Sequence, residues 1–230
     1  MKGFSFLLYL VLARGVAAQQ GAPVAALWDG DAPMGISVQR MGYGQLPRDL
    51  DYRGVPREML RWTDSTGVNL LIICETQSFP IADSTGRTAR VAEVQATLYS
   101  IPPKSKGMVR RWRVQDYGQC GDSTCFEAAF LPGSLSITDL DSDGRAEVSV
   151  MYHLICQNRP GPGLCKLFLA EGNDKYLLRG ETAWCNSEGL GQNVPRFTPE
   201  LWQERVPWLS AYATRKWNAP RCQGLRLKTR

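Results

Sequence analysis

Short apolar runs recur along the chain, each bounded by Gly, Pro, Asn or Asp, as is typical of β-strands. Along Ala146–Cys156 the even positions are mostly apolar and the odd positions include Glu147, Ser149 and His153. This period of two predicts a half-buried strand, with His153 facing solvent or a hydrogen-bond partner. We expect a mainly β fold of antiparallel sheets or a blade-like meander. The predicted strands are Val68–Cys74, Val91–Ile101, Met108–Gln115, Leu135–Thr138, Ala146–Cys156, Leu164–Ala170 and Tyr176–Gly180.

A helical pattern appears only near the end, in "TPELWQERVPWLSAYATRKW". Thr198 suits the N-cap and Pro199 the first helical position, whereas Pro207 would kink or split the segment into two short pieces. The tryptophans in this region are packing groups or, alternatively, a carbohydrate surface. The pattern therefore adds a short C-terminal helical segment to the β fold.

The opening "MKGFSFLLYLVLARGVAAQQ" has a charged start, an apolar run and small residues before Gln19. This layout predicts a secretory signal peptide over residues 1–18, and the run is too short to span a membrane. Residues 19–60 form a poorly defined lead-in, 61–183 a β domain, and 184–230 a helical segment and tail docked on that domain. We expect an exported protein, periplasmic or extracellular, with no integral membrane segment after cleavage.

The charge balance is small. The formal net charge is +5, and removal of Lys2 and Arg14 with the signal peptide leaves +3. The stretch "RRWRV" at 110–114 alternates basic and apolar positions as a solvated strand face does. Nucleic acid is not indicated as a partner, because it requires basic residues clustered on one face.

All seven cysteines follow the predicted signal peptide, which favours disulfides over metal ligands. Six paired cysteines allow 15 connectivities. Cys74 ends an apolar run and is the candidate for a buried, inert thiol. Zinc ligation by the cysteines is the alternative to disulfides, but the sequence has no CxxC spacing and His153 is its only histidine. The pairs favoured by local turns and by elimination are Cys120–Cys125, Cys156–Cys165 and Cys185–Cys222.

The stretch "TDLDSDGRAEV" places four carboxylates on one tight turn before an apolar strand. Alternating carboxylates with a glycine bend supply the oxygen ligands that Ca²⁺ prefers. The EF-hand pattern fails, because its twelfth position falls on Val150 and no helix flanks the loop. The shorter pattern looks like the calcium loops of FG-GAP-type β-propeller blades. The candidate ligands of a structural Ca²⁺ are the carboxylates of Asp139, Asp141, Asp143 and Glu147 and the backbone carbonyl of Arg145.

Two other readings of this acidic loop stay open. It could be a solvated Asp-rich turn that caps a hairpin. Two of its carboxylates could form a glycosidase acid/base pair, although a catalytic acid requires a sheltered apolar pocket.

A weak internal echo accompanies the loop, since Asp64–Gly67 and Asp141–Gly144 are both Asp-Ser-x-Gly turns before an apolar strand. It indicates a duplicated unit or merely the frequency of Asp and Gly in turns.

The stretch "SITDLDSDGRAEVSVMYHLICQNRPGPGLCKLFLAEGNDKYLLRGET", with "RWTDSTGVNLLIICET" and "RRWRVQDY" upstream, resembles a family of exported bacterial proteins labelled surface polysaccharide biosynthesis protein. The resemblance runs from about Arg61 to Thr182. The chain departs from it by a Pro-Gly loop and Cys165 where a more acidic turn is expected. The resemblance implies a role in surface polysaccharide assembly and supplies no catalytic residues.

These observations favour a non-catalytic binding or assembly role in the cell envelope. The partner expected is an envelope protein or a polysaccharide. One alternative is a carboxylate-dependent glycan-active enzyme, although no G-x-S-x-G, H-E-x-x-H or P-loop motif is present. Another is a periplasmic protein-binding inhibitor or adaptor.

Overall fold

Two antiparallel sheets of six strands each and one small sheet of two strands are present in a computed structural model that describes residues 36–82, 84, 86–121, 125–157, 163–181, 185–186, 189–190, 196–198 and 206–218. The predicted signal peptide, Cys222 and the first predicted helical piece lie outside these residues. The elements are β1 (Gln39–Arg40), a 3-10 helix (Tyr43–Gln45), β2 (Val55–Asp64), β3 (Gly67–Glu75), β4 (Phe79–Ala82), β5 (Thr88–Ile101), β6 (Val109–Cys120), β7 (Cys125–Phe130), β8 (Ser136–Thr138), β9 (Glu147–Gln157), β10 (Leu164–Glu171), β11 (Asp174–Glu181), β12 (Cys185–Asn186), β13 (Gly189–Leu190), β14 (Arg196–Thr198) and α1 (Pro207–Asn218).

Sheet A has the strand order β1-β2-β3-β5-β4, with β6 paired to the other side of β5. At the turn between β2 and β3, the end of β5 lies so close that a Cβ at Gly67 would be 2.1 Å from the carbonyl oxygen of Ile101. Gly67 also has φ +120°, so only glycine suits this position. This turn fixes the end of sheet A at which Asp64 and Ile101 meet.

Sheet B has the strand order β14-β11-β10-β9-β7, with β8 paired to β9 beside β7. Strand β9 is its centre and begins at Glu147, opposite Thr138 of β8 and Glu171 of β10. The residues between β8 and β9, 139–146, are the acidic loop. The sheet register therefore brings the ends of β8, β9 and β10 together beside that loop.

The main core lies between the two sheets, which makes the fold a sandwich. Sheet A contributes Leu60, Trp62 and Leu71, and sheet B contributes Val148 and Phe168, all buried. Trp112 of β6 packs edge-to-face on Phe168 of β10, with the ring centres 5.2 Å apart. These cross-sheet contacts confirm a mainly β, antiparallel fold, as predicted from the apolar runs.

A second core lies on the outer face of sheet B, where α1 packs. Leu209 and Tyr212 of α1 are buried against Met151 and Leu167 of the sheet. Both faces of β9 are therefore buried, so the prediction of a half-buried strand is wrong. Of the two surroundings predicted for His153, solvent is excluded because the residue is 5% exposed, and its Nε2 lies 3.3 Å from Glu127 Oε2.

Pro207 is the first residue of α1, in keeping with the missing N–H and fixed φ of proline at a first helical position. Thr198, the predicted N-cap, ends strand β14. The structure thus confirms a short C-terminal helix. The predicted division into two pieces at Pro207 stays a prediction, because residues 199–205 lie outside the described ones.

The disulfide of the described residues joins Cys120 to Cys156, with the Cα atoms 5.5 Å apart. The predicted pairs Cys120–Cys125 and Cys156–Cys165 are therefore wrong. Cys120 ends β6 of sheet A and Cys156 lies near the end of β9 of sheet B, so the bond links the two sheets. Local turns could not indicate this pairing because it depends on how the sheets face each other. Cys74 is buried and has a free thiol, as predicted.

Candidate metal centre

The acidic loop is closed by its own carboxylates. Asp139 Oδ2 accepts from the N–H of Gly144 at 3.1 Å, and Asp143 Oδ1 accepts from the N–H of Arg145 at 2.7 Å. Gly144 has φ 80°, the left-handed conformation that glycine adopts without strain, and Ser142 has φ 62°. These bends fold the loop so that alternate side chains converge.

Three of the predicted ligands form one group. Asp139, Asp141 and Glu147 each offer a carboxylate oxygen, and these oxygens lie within 4.8 Å of one another. Glu147 reaches the group from the first position of β9, whereas the two aspartates come from the loop. The register of β8 and β9 therefore brings together residues that the spacing of the sequence had suggested.

A second group shares Asp141 and adds Asp143 and Glu171, again with oxygens within 4.8 Å. Glu171 ends β10 and lies directly opposite Glu147 in the antiparallel register. Sequence reasoning missed Glu171, because it lies far from the loop along the chain. Pairing the predicted strands Ala146–Cys156 and Leu164–Ala170 as a hairpin would have placed it at the loop.

Glu147 is the most buried acid of the site, with 1% of its surface exposed. Its Oε2 accepts from the N–H of Leu140 at 2.8 Å and from the Thr138 hydroxyl at 3.4 Å. Among the described residues its Oε1 has no hydrogen-bond partner, and neither has the buried Oδ1 of Asp139. A buried acceptor without a partner is costly, so both atoms require a ligand or a proton.

The electrostatics of the site oppose ionisation. Burial, with a smaller contribution from the charge of Asp141, raises the pKa of Glu147 to about 8 despite the hydrogen bond from the N–H of Leu140. Burial followed by the charges of Asp141 and Asp143 also raises the pKa of Glu171. Among the described residues, the ion pair within the loop is between Arg145 Nε and Asp143 Oδ2, which are 3.5 Å apart on the exposed side of the loop. A cation between the carboxylates would favour their charged forms and so lower the pKa of both glutamates.

The loop also touches the turn between β2 and β3 in the opposite sheet. The N–H of Ser65 donates to the carbonyl of Gly144 at 2.8 Å, and the N–H of Ala146 donates to Asp64 Oδ2 at 3.2 Å. The two Asp-Ser-x-Gly turns of the sequence echo therefore contact each other. The acidic loop is consequently a contact between sheets A and B.

Asp64 is held ionised by its neighbours. Burial opposes its charge, but hydrogen bonds from the Thr66 hydroxyl and the Trp62 ring N–H outweigh this effect and lower its pKa. These donors lie 2.5 Å and 3.0 Å from the carboxylate. Asp64 is thus a charged acceptor for the N–H of Ala146, next to the two carboxylate groups but not a member of either.

The remaining predictions for the site divide as follows. The side chain of Arg145 pairs with Asp143, and its carbonyl as a ligand stays a prediction. His153 lies further along β9, where its Nε2 is 3.3 Å from Glu127 Oε2, and it takes no part in the site. The donors of the site are all oxygens, which suits a hard cation such as Ca²⁺ rather than zinc.

Comparison with protein-family models, curated proteins and solved structures finds no match to this chain. The site is therefore interpreted from its own residues. In the part of the chain that the structure describes, no helix combines the length and apolar character needed to cross a bilayer.

Proposed function

We propose that the protein is an exported, non-catalytic binding module of the cell envelope, in which the acidic loop holds Ca²⁺ as a brace between the two sheets. The ion would take the oxygens of Asp139, Asp141 and Glu147, and the second group would add Asp143 and Glu171. A role in surface polysaccharide assembly rests on the family resemblance and belongs to this proposal.

The observation that carries the proposal is the unsatisfied Oε1 of Glu147. An acidic cluster at the surface needs no ion, since water solvates its carboxylates. Glu147 is only 1% exposed, so water does not solvate it in this way. One of its carboxylate oxygens lies within 4.8 Å of an oxygen of Asp139 and of Asp141. Its Oε1 has no hydrogen-bond partner among the described residues. A divalent cation offers the charge and the coordination that this atom lacks.

The position of the loop supports a structural role for the ion. The loop contacts the β2–β3 turn of sheet A while its ends continue into β8 and β9 of sheet B. Drawing the carboxylates together would hold that contact in place. The Cys120–Cys156 bond links the same two sheets near the opposite end of β9, about 30 Å away at the rise of a strand. The sandwich would thus be closed at both ends.

The enzymatic alternative has one observation in its favour. A carboxyl group whose pKa is raised to about 8 resembles a general acid. A general acid must reach its substrate, however. Glu147 is 1% exposed, and its Oε2 already accepts hydrogen bonds from the N–H of Leu140 and the hydroxyl of Thr138. The geometry therefore favours a brace over a catalytic acid. A role as a protein-binding adaptor is compatible with the same brace.

Calorimetric titration of the metal-free protein with CaCl₂ tests the proposal. We expect saturable uptake with a Kd on the order of 10⁻⁴–10⁻³ M, as in extracellular calcium modules. Glu147→Gln should abolish uptake, because it replaces the buried carboxylate with a neutral group of similar shape. Asp174→Asn is the matched control, since Asp174 is an exposed acid opposite Glu171 in the hairpin but belongs to neither group. Equal uptake by both variants, or none by the wild type, would refute the brace.

A further inference from the structure

One edge of sheet A carries an exposed row of side chains that the proposed cation site does not use. In the register of β5 and β6, Trp112 and Val114 face the core between the sheets, so Arg113, Gln115, Tyr117 and Gln119 face outward. A β-bulge before Trp112 places Arg110 opposite Tyr99 and so turns it to the same outer face. We name the outward row of Arg110, Arg113, Gln115, Tyr117 and Gln119 the β6 ledge. Among the described residues β6 pairs with β5 alone, so it is an edge strand of sheet A.

The ledge already holds a carboxylate. Asp51 Oδ2 lies 3.2 Å from Arg110 Nη1 and 2.8 Å from Arg113 Nη2, and Asp51 is 71% exposed. Arg113 also donates to the backbone carbonyl of Asp51, which Tyr99 fixes with a hydrogen bond of 2.7 Å. Two guanidinium groups on one strand edge therefore form a pocket of the size and charge that a carboxylate requires.

The cations extend beyond this pocket. Lys104 and Lys106 lie on the exposed tip of the hairpin between β5 and β6, next to the arginine end of the ledge. Neither lysine is in a described ion pair. Asp51 is the one carboxylate paired with these arginines among the described residues. Glu93 also borders the ledge, where it accepts from Gln115 at 3.4 Å, but its charge is paired with Arg53. The positive charge along this edge therefore exceeds its internal counter-charge.

The other end of the ledge has a different chemistry. Tyr117 is 60% exposed, and the amide side chains of Gln115 and Gln119 on either side of it are exposed as well. An exposed tyrosine ring packs against the C–H face of a sugar, and amides exchange hydrogen bonds with its hydroxyls. From Arg113 to Gln119 the row is about 20 Å long at the rise of a strand, which suits a chain of sugars.

From this juxtaposition we infer that the β6 ledge binds a linear anionic glycan, with a carboxylate between Arg110 and Arg113 and neutral parts of the sugar chain on Gln115 and Tyr117. The inference rests on the proposed binding role and names a ligand class for it, at a site separate from the cation. A lipid surface suits the ledge less well, because Val109 is the one large aliphatic side chain exposed near it among the described residues.

In this arrangement Asp51 competes with the ligand. A glycan carboxylate can enter the arginine pocket only by displacing the Asp51 carboxylate. Removing that charge should therefore strengthen binding, an effect that a merely structural ion pair would not produce. Asp51→Asn keeps the backbone carbonyl that Tyr99 and Arg113 hold, so the local fold is retained.

The test measures binding of oligogalacturonate, a carboxylated oligosaccharide, by the intact mature protein in low salt and in excess chelator. We expect saturable binding that weakens with salt, about fivefold weaker binding by Arg113→Gln and by Tyr117→Ala, and tighter binding by Asp51→Asn. Lys175→Gln, which removes an exposed cation from sheet B, is the matched control and should bind as the wild type does. Melting temperatures of all variants verify that they are folded.

Three results would overturn the inference. They are absence of binding, equal binding of an uncharged oligosaccharide of the same length, and a loss in Arg113→Gln without any loss in Tyr117→Ala, which would show that the ledge recognises the charge of the probe and not its sugar rings. Binding of anionic lipid vesicles with the same dependence on the variants would assign the ledge to a membrane surface instead. Because chelator is present, a negative result in this experiment would not bear on the proposed calcium site, which the CaCl₂ titration tests separately.

Discussion

Asp64 of sheet A accepts, through Oδ2, a hydrogen bond of 3.2 Å from the backbone N–H of Ala146, which immediately precedes β9 of sheet B. With the bond from Ser65 to Gly144, it joins two turns of similar sequence from different sheets. The acidic loop thus combines two roles in one short segment. It contacts the opposite sheet with its backbone, and it gathers carboxylates with its side chains.

Asp64→Asn should destabilise the protein by about 2 kcal/mol at pH 7, because an amide cannot match the carboxylate as acceptor for Trp62, Thr66 and Ala146. The folded-state pKa of Asp64 is depressed below its ordinary value of 3.8. Its contribution is therefore complete above the unfolded pKa and is lost as the pH falls through the lower folded pKa. Urea unfolding at pH 7 and at about pH 2 should show a smaller difference between variant and wild type in acid. Asp49→Asn, an exposed control, should match the wild type at both values.

The disulfide should contribute independently of the loop. Removing Cys120–Cys156 with a double alanine variant should cost about 4 kcal/mol from loop-closure entropy, given its sequence separation of 36. Because the bond and the acidic loop act at opposite ends of β9, the loss should add to that of Asp64→Asn. Urea unfolding of the double variant, of Asp64→Asn and of their combination measures this. A large coupling energy would show that the two ends of the sandwich do not act separately.

Cys74 should be chemically silent in the folded protein. It is fully buried in β3, and burial raises the pKa of its thiol to about 12. At pH 8 the native wild type and Cys74→Ala should take up equal amounts of an aromatic disulfide reagent. In denaturant the wild type should take up one equivalent more. A native difference between the two proteins would contradict the buried position.

Glu147→Gln should stabilise the metal-free protein by about 2 kcal/mol at pH 8, since it removes a carboxylate that is buried without full compensation. The same substitution should abolish stabilisation by Ca²⁺. Chemical unfolding in chelator measures the first effect. If the variant is less stable than the wild type without metal, the carboxylate is satisfied by groups other than a cation.

The sequence predicted those features that depend on neighbours along the chain. The apolar runs gave the central strands β3, β5, β9, β10 and β11. The spacing of Asp139, Asp141 and Glu147 gave a group that the structure brings together. Such features follow from the period of a strand and the geometry of a turn, which are local.

The features that the sequence did not predict depend on long-range packing. Cys120 pairs with Cys156 because the sheets face each other, and Glu171 reaches the loop because β9 and β10 form a hairpin. Ser149 is buried because α1 packs on its face of the sheet, where Tyr212 lies within 3.1 Å of its hydroxyl. Each of these facts requires the tertiary arrangement, and no local pattern encodes it.

The most direct test of the brace is thermal unfolding in about 10 mM CaCl₂ and in excess chelator, with wild type, Glu147→Gln and Asp174→Asn in parallel. With a Kd of 10⁻⁴–10⁻³ M, calcium should stabilise the wild type by about 1.4–2.7 kcal/mol, or roughly 3–10 °C in Tm. Asp174→Asn should shift by a similar amount, and Glu147→Gln should not shift. The same Tm for the wild type in calcium and in chelator, or a full shift in Glu147→Gln, would contradict the account.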